Sequence, residues 1–228
     1  WFIFYMLLVP AFAIVWVAWL LIVRHENKMK AELAQANKLV EMGKQTVIAI
    51  ARTVDAKDQR TADHSKRVAI YSAQIAKEYG MDEKQCQDIE WAAQMHDIGK
   101  IGIPDAILNK PARLTDDEYA IMKSHTTRGA EILKDFTLLS NVIEGAEFHH
   151  ERYDGRGYPD GLRGDAIPET ARIIAVADAY DAMSSRRSYR DPLSEDVIRN
   201  EIAVGMGTQF DPKYAGLMLR IIDSGEVN

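Results

Sequence analysis

The stretch HHERYDGRGYP, His149–Pro159, closes a helical pattern with two adjacent histidines and opens a run rich in glycine and charge. Upstream, Leu138–His149 repeats apolar residues at helical spacing; downstream, Asp154–Gly164 carries the residues that stop a helix. The same helical period recurs at Ala62–Tyr79, Asp82–His96, Thr115–Leu133, Ile167–Ser184, Ser194–Met206 and Asp211–Ile222, and no alternating strand pattern competes with it. TDDE at Thr115–Glu118 reads as a capping box, Ser194 as an N-cap, and Pro212 behind Asp211 suits the first helical position. These signals predict an all-α fold with one conspicuous long loop, the one behind the histidine doublet.

The doublet belongs to a wider pattern. Of six histidines, His25 alone sits in a solvated linker, while His64, His96, His125, His149 and His150 fall near helix ends or on faces that also carry Asp. One such histidine is ordinarily a core or surface residue; five placed alike point to a shared ligand. In MHDIGK, Met95–Lys100, Asp97 directly follows His96, and helix neighbours point about 100° apart. Both therefore reach one centre only near a helix terminus, where Gly99 stops the helix. AVADAYDAM, Ala175–Met183, sets Asp178 and Asp181 three apart on one face of an apolar helix, and a buried carboxylate needs a partner. Imidazoles with a few carboxylates and no thiolates suit iron, manganese, zinc or nickel better than calcium or magnesium.

Composition narrows the function. With 228 residues and 47% hydrophobic content the chain can bury a sizeable core. A net charge of −6 gives no long-range attraction to nucleic acid, which speaks against DNA binding. An anionic substrate would have to be held locally, by metal ions or clustered Arg and Lys. The single cysteine, Cys86, excludes an internal disulfide and a Cys-based zinc site.

Residues 1–23, WFIFYMLLVPAFAIVWVAWLLIV, carry no charge and at ~1.5 Å per residue are long enough for the roughly 30 Å hydrocarbon layer. They predict a transmembrane helix; a signal peptide cleaved near Ala11–Ala13 is the competing reading. Arg24, Lys28 and Lys30 follow, which places the rest in the cytoplasm by the positive-inside bias. The absence of an initial Met suggests a further upstream region. Over residues 24–50 and just beyond, Met29, Leu33, Ala36, Val40, Gly43, Val47, Ile50 and Val54 alternate steps of four and three, the seam of a coiled coil that would pair two copies into a homodimer. A single amphipathic helix lying on its own domain is the alternative.

From Ala51 to Ile222 the chain resembles an HD-GYP domain, the bacterial branch of the HD metal-dependent phosphohydrolases. HDIGKIGIPD (His96–Asp105), HHERYDGRGYP, VADAYDAM (Val176–Met183), RRSYR (Arg186–Arg190) and GTQFDP (Gly207–Pro212) stand in that family's order and spacing. The resemblance implies an HD-type helical bundle over residues 51–228, behind the segments 1–23 and 24–50, at the inner membrane of a bacterium. It also implies a phosphodiesterase that hydrolyses cyclic di-GMP to pGpG, and often on to GMP, at a centre of two divalent ions, iron or manganese.

Carried over residue by residue, the resemblance gives one metal to His64, His96, Asp97 and Asp178. Asp97 would bridge to a second ion held by His125, His149 and His150. Such a pair of ions, roughly 3.5–4 Å apart, generates a hydroxide at neutral pH and neutralises charge on the phosphoryl oxygens. Lys100 would add positive charge on the scissile phosphate, or else be a solvated helix-end lysine. Tyr158 would face a guanine or ribose. Arg187 and Arg190 would fork onto phosphate or guanine, with surface ion pairing as the alternative. Asp181 would orient a ligand or an arginine, and Gly157 and Pro159 would shape the loop or touch substrate or a partner. Ser188 stands where the family pattern usually has Pro. Arg60 stands four residues before His64, where some relatives carry a glutamate for a third metal; a permanent cation there predicts two metals, the alternative being that Arg60 precedes the helix and points into solvent while Asp58 or Asp63 takes the glutamate's role. Another phosphoester substrate, or a non-catalytic signalling module, are the alternative functions, and the second would lose metal ligands.

Overall fold

A computed structural model describes residues 2–58, 63–135, 140–185 and 191–225. The chain forms two compact units, Trp1–Val47 and Ile48–Asn228. Helix α1, Phe2–Lys57, supplies the first, and its last turns, from Ile48, belong to the second.

Along α1 the predicted membrane span is not found. Among the described residues no helix is long and apolar enough to cross a membrane. This overturns the span over residues 1–23, the membrane as a partner and the inner-membrane location built on it. The reason is where charge enters. The helix does not end at Val23 but continues through Arg24, Glu26 and Lys28. Of the seam residues, Met29, Leu33, Val40 and Ile50 are exposed, whereas Val54 is buried in the core of the second unit and so is no part of an exposed seam.

In the second unit α2 (His64–Tyr79) packs on α3 (Glu83–Met95), which Asp82 and Gln85 start with a reciprocal capping box. A 3₁₀ turn, Ile98–Gly102, and the short α4 (Asp105–Leu108) follow. The predicted helix Thr115–Leu133 is two helices, α5 (Asp116–Lys123) and α6 (His125–Leu133). The Ser124 N–H and hydroxyl both bond back to the Ile121 carbonyl, tightening the last turn of α5, so α6 restarts with His125 as its first residue. Next come α7 (Ser140–Phe148), a 3₁₀ turn at Gly164–Ala166, α8 (Glu169–Ser184), α9 (Glu195–Gly205) and α10 (Pro212–Ser224). Helix α8 starts two residues later than its apolar pattern predicts, because Pro168 occupies the N-cap.

The core lies where α2, α3, α7, α8 and α10 meet; Ile75, Ala92, Val142, Ile174 and Met218 are fully buried there. α6 lies on the Ile98–Gly102 turn and on α7. The architecture is all-α: among the described residues there is no strand, only isolated bridges at Asp154 with Arg163 and Met206 with Phe210.

Candidate metal centre

Four helix ends and one helix face converge on a single buried volume. His64 opens α2, His96 and Asp97 leave α3, His125 opens α6, His149 and His150 leave α7, and α8 contributes Asp178 and Asp181. Helix ends suit this task because consecutive side chains there escape the fixed helical rotation and can turn to one point. Gly99 makes the convergence possible. A Cβ at Gly99 would lie 1.8 Å from the His125 carbonyl oxygen and 2.5 Å from the Gly129 nitrogen. Only a glycine lets the 3₁₀ turn sit this close to α6, with Asp97 Oδ1 3.4 Å from His125 Nε2.

Three groups of ligand atoms lie within 4.8 Å of one another: His64, His96 and Asp178; His125, His149 and His150; and His96, Asp97 and His149. Asp97 links the first two. Its Oδ2 is 3.2 Å from His96 Nε2 and 3.9 Å from His64 Nε2, while its Oδ1 is 3.4 Å from His125 Nε2 and 3.9 Å from His149 Nε2.

The outer ring nitrogens fix the inner ones. His96, His125 and His149 each donate from Nδ1 to the carbonyl three residues earlier, of Ala93 (2.7 Å), Met122 (2.7 Å) and Ala146 (3.1 Å). A carbonyl only accepts, so Nδ1 carries the proton and a neutral ring turns the Nε2 lone pair inward. His125 Nε2 and His149 Nε2 then face each other at 3.5 Å as two acceptors, an arrangement that a cation between them satisfies. His64 is oriented differently: its Nδ1 donates to Asp181 Oδ2 (2.7 Å), and its Nε2 lies 3.2 Å from Asp178 Oδ1.

Charge follows the same division. Burial opposes a charged His64, but the Asp178 and Asp181 carboxylates outweigh it and push the imidazole up to about 10. On the other side, burial and the neighbouring His125 push His150 down to about 4, and burial with His150 and His96 holds His149 well below the usual imidazole range. Burial also opposes a charged Asp97, yet Lys100, first, and then His96 hold it well below the usual carboxylate range. A donor set of imidazoles and ionised carboxylates with no thiolate fits divalent transition metals.

Around the centre stand Arg67, which the sequence did not single out, and Asp58, which it offered only as a ligand for a third metal. Arg67 Nη2 donates to Asp181 Oδ2 at 3.1 Å, and Asp58 accepts from Lys100 Nζ at 3.1 Å. Lys100 Nζ lies 2.6 Å from Asp97 Oδ2, so it is paired in the centre and not a solvated helix-end lysine. Glu151 is buried and its Oε1 accepts from the Asp160 and Gly161 N–H groups, which clamps the loop behind the histidines. The sequence signal for it is a Glu directly after the histidine doublet and before a glycine-rich loop.

Tyr158 stacks at a tilt on His150, ring centroids 4.9 Å apart, and burial pushes its phenol up. Gly157 is fixed by packing: a Cβ there would lie 2.3 Å from the Arg152 nitrogen and 2.5 Å from Glu151 Cα. The Tyr158–Pro159 peptide is cis. A cleft of about 330 Å³ opens beside His149, His150 and Asp178, with Arg152, Met183 and Phe210 in its wall. Arg187 and Arg190, with Ser188, and Arg60 lie outside the described residues.

Known proteins share this pattern. The HD domain family matches residues 48–214. The chain is 42% identical over 183 residues to the 3'3'-cGAMP-specific phosphodiesterase 2 of Vibrio cholerae serotype O1, covering 79% of this chain and 35% of that protein. It is 40% identical over 192 residues to the cyclic di-GMP phosphodiesterase response regulator RpfG of Xanthomonas campestris pv. campestris, covering 82% and 50%. To a cyclic di-GMP phosphodiesterase of Thermotoga maritima it is 45% identical over 167 residues, covering 72% and 45%. The chain thus spans half or less of the length of these relatives. The fold is shared with the crystal structure of a cyclic GMP-AMP-specific phosphodiesterase of V. cholerae, with a TM-score of 0.63 at 18% identity over 81% of this chain and 49% of that one. It is shared too with the HD domain of L. monocytogenes phosphodiesterase PgpH, with a TM-score of 0.57 at 21% identity over 79% and 95%. Together with the motifs and their convergence on one centre, these matches settle the family: the chain belongs to the HD domain family, in its HD-GYP branch.

Proposed function

We propose that the chain is a cyclic-dinucleotide phosphodiesterase that opens cyclic di-GMP to pGpG, and on to GMP. The observation that carries this reading is Asp97, a buried carboxylate with one oxygen toward His64 and His96 and the other toward His125 and His149. His64, His96, Asp97 and Asp178 would hold one divalent ion, iron or manganese, and Asp97, His125, His149 and His150 a second. When bound, the two ions supply Lewis-acid charge and an activated water to the phosphodiester.

The chain's own groups do the rest. Lys100 sets an ammonium beside Asp97 that offsets charge developing on the phosphoryl oxygens. Asp181 holds the His64 ring in place and is itself held by Arg67. Tyr158, half-buried against His150, offers an aromatic face to a guanine or ribose, and Arg187 and Arg190 would grip phosphate or a guanine edge. Gly157 and Pro159 would shape that wall. Similarity to a 3'3'-cGAMP-specific phosphodiesterase favours cyclic GMP-AMP as the second reading of the substrate.

The test is turnover by anaerobically purified protein, loaded with iron or manganese, on cyclic di-GMP, 3'3'-cGAMP and cyclic di-AMP. Hydrolysis of cyclic di-GMP fastest supports the first reading, 3'3'-cGAMP fastest the second, and no hydrolysis of any of them refutes both. We also propose that the exposed Met29, Leu33 and Val40 pair two copies. Leu33→Lys with Val40→Lys should then weaken self-association in sedimentation, and an unchanged dimer would refute the seam.

A further inference from the structure

The last turn of α1 is joined to the centre in three places. Asp55 accepts from the Ser65 hydroxyl (2.7 Å) and the Ser65 N–H (3.3 Å), at the start of the helix that opens with His64. That start lacks a cap of its own, since Asp63 takes a left-handed conformation (φ 58°) and makes no side-chain cap bond. Lys57 donates to the carbonyls of Ile101 (3.1 Å) and Ile103 (2.7 Å), at the far end of the turn that carries Lys100, and Asn109 donates to the Lys57 carbonyl. Asp58 then accepts from Lys100 itself.

The third contact has a consequence for chemistry. A lysine side chain has four rotatable carbons and loses about 2 kcal/mol of rotamer freedom when held in one place. Its ammonium carries three N–H groups. Asp97 at 2.6 Å and Asp58 at 3.1 Å take two of them, which fixes the direction of the third. With Asp97 alone, the ammonium could swing about that single contact. Asp58 is only 5% exposed and stands on a turn anchored by Lys57 and Asp55, so its carboxylate is a fixed post.

We infer that Asp58 is a positioning residue: it aims the Lys100 ammonium, so that the last turn of α1 sets the alignment of the phosphate-facing charge. The inference rests on the reading of Lys100 given under Proposed function.

The test is a double-mutant cycle of Asp58→Ala and Lys100→Ala in the metal-loaded chain, with kcat, KM, metal content and melting temperature measured for each. Asp58→Ala should lower kcat by roughly ten- to a hundredfold, the range seen when an orienting partner is lost. KM and the metal content should stay at the parent values. In the Lys100→Ala background the same change should cost less than about twofold, because a residue acting through Lys100 has nothing left to aim. Should Asp58→Ala not fold, Asp58→Asn, of the same size but uncharged, is read in the same cycle with a smaller drop. An equal kcat loss with and without Lys100, or loss of metal from Asp58→Ala, would make Asp58 merely structural and overturn the inference. So would an unchanged kcat in Asp58→Ala beside a large loss in Lys100→Ala, with the role of Lys100 intact. An unchanged kcat in Lys100→Ala would instead strike the reading of Lys100, and the inference with it.

Discussion

The two sides of the centre are built from the same ring and behave as opposites. On one side His64 lies between Asp178 and Asp181, with Arg67 behind, and protein charges balance one another. On the other, His125, His149 and His150 crowd together with ring centroids 4.1–5.5 Å apart and neutral, with the shared Asp97 at 3.4 Å from His125 and 3.9 Å from His149. The carboxylate-rich side is self-sufficient as a piece of structure. The imidazole side keeps its lone pairs for a cation. The lesson is that one centre can place its folding stability and its ligand demand in different halves, joined by a single carboxylate.

That contrast can be broken most severely at the joint. Asp97→Ala should lower turnover by about a thousandfold or more and empty at least one metal position, as elemental analysis would read; two metals per chain with normal turnover would remove Asp97 from the centre. Next is the packing that brings the halves together. Gly99→Ala drives a methyl into the His125 carbonyl, and the turn must lift off α6 at a cost of about 3 kcal/mol, read as a lower urea midpoint. If the midpoint holds, the close approach of turn and helix is not a constraint.

A finer test uses pH on chelator-treated protein. The folded-state value of His150 is pushed down to about 4, below the value of about 6.5 in an unfolded chain. The unfolded state therefore binds more protons between these values, and stability should fall by a few degrees of melting temperature as pH drops from about 6.5 to about 4. His150→Gln should flatten that limb. His64 has the opposite sign: held up to about 10, it contributes fully below about 6.5, and its contribution is lost as pH rises toward 10. Asp181→Asn should flatten this alkaline limb, by the smallest change of the set, since Asp178 still faces the ring. Equal limbs in both variants would erase the distinction between the halves.

How much of this could be read from the sequence depends on how local each cause is. Helix periods gave seven segments, and where their ends moved the cause was one residue: Ser124 closing a turn early, Pro168 delaying a start. The histidines and aspartates that converge sit in short motifs whose spacing alone suggests a helix end. The pairings of Asp58 with Lys100 and of Arg67 with Asp181 could not be found that way. Asp58 is 42 positions from Lys100, and Arg67 is 114 from Asp181, so only the packed helices reveal them. The predicted span over residues 1–23 failed for a related reason, because a hydropathy run says nothing of how the helix carries on into charge.

The inward aim of the rings has a consequence for how such centres change over generations. His96, His125 and His149 are each aimed by a carbonyl three positions back in their own backbone, which every amino acid supplies. Mutations around these rings leave the aim intact, so their neighbours can drift while the three histidines stay. His64 is aimed by a side chain of another helix, Asp181. Loss of His64 removes the ring that Asp181 orients, and in a lineage that abandons His64, Asp181 should be lost soon after.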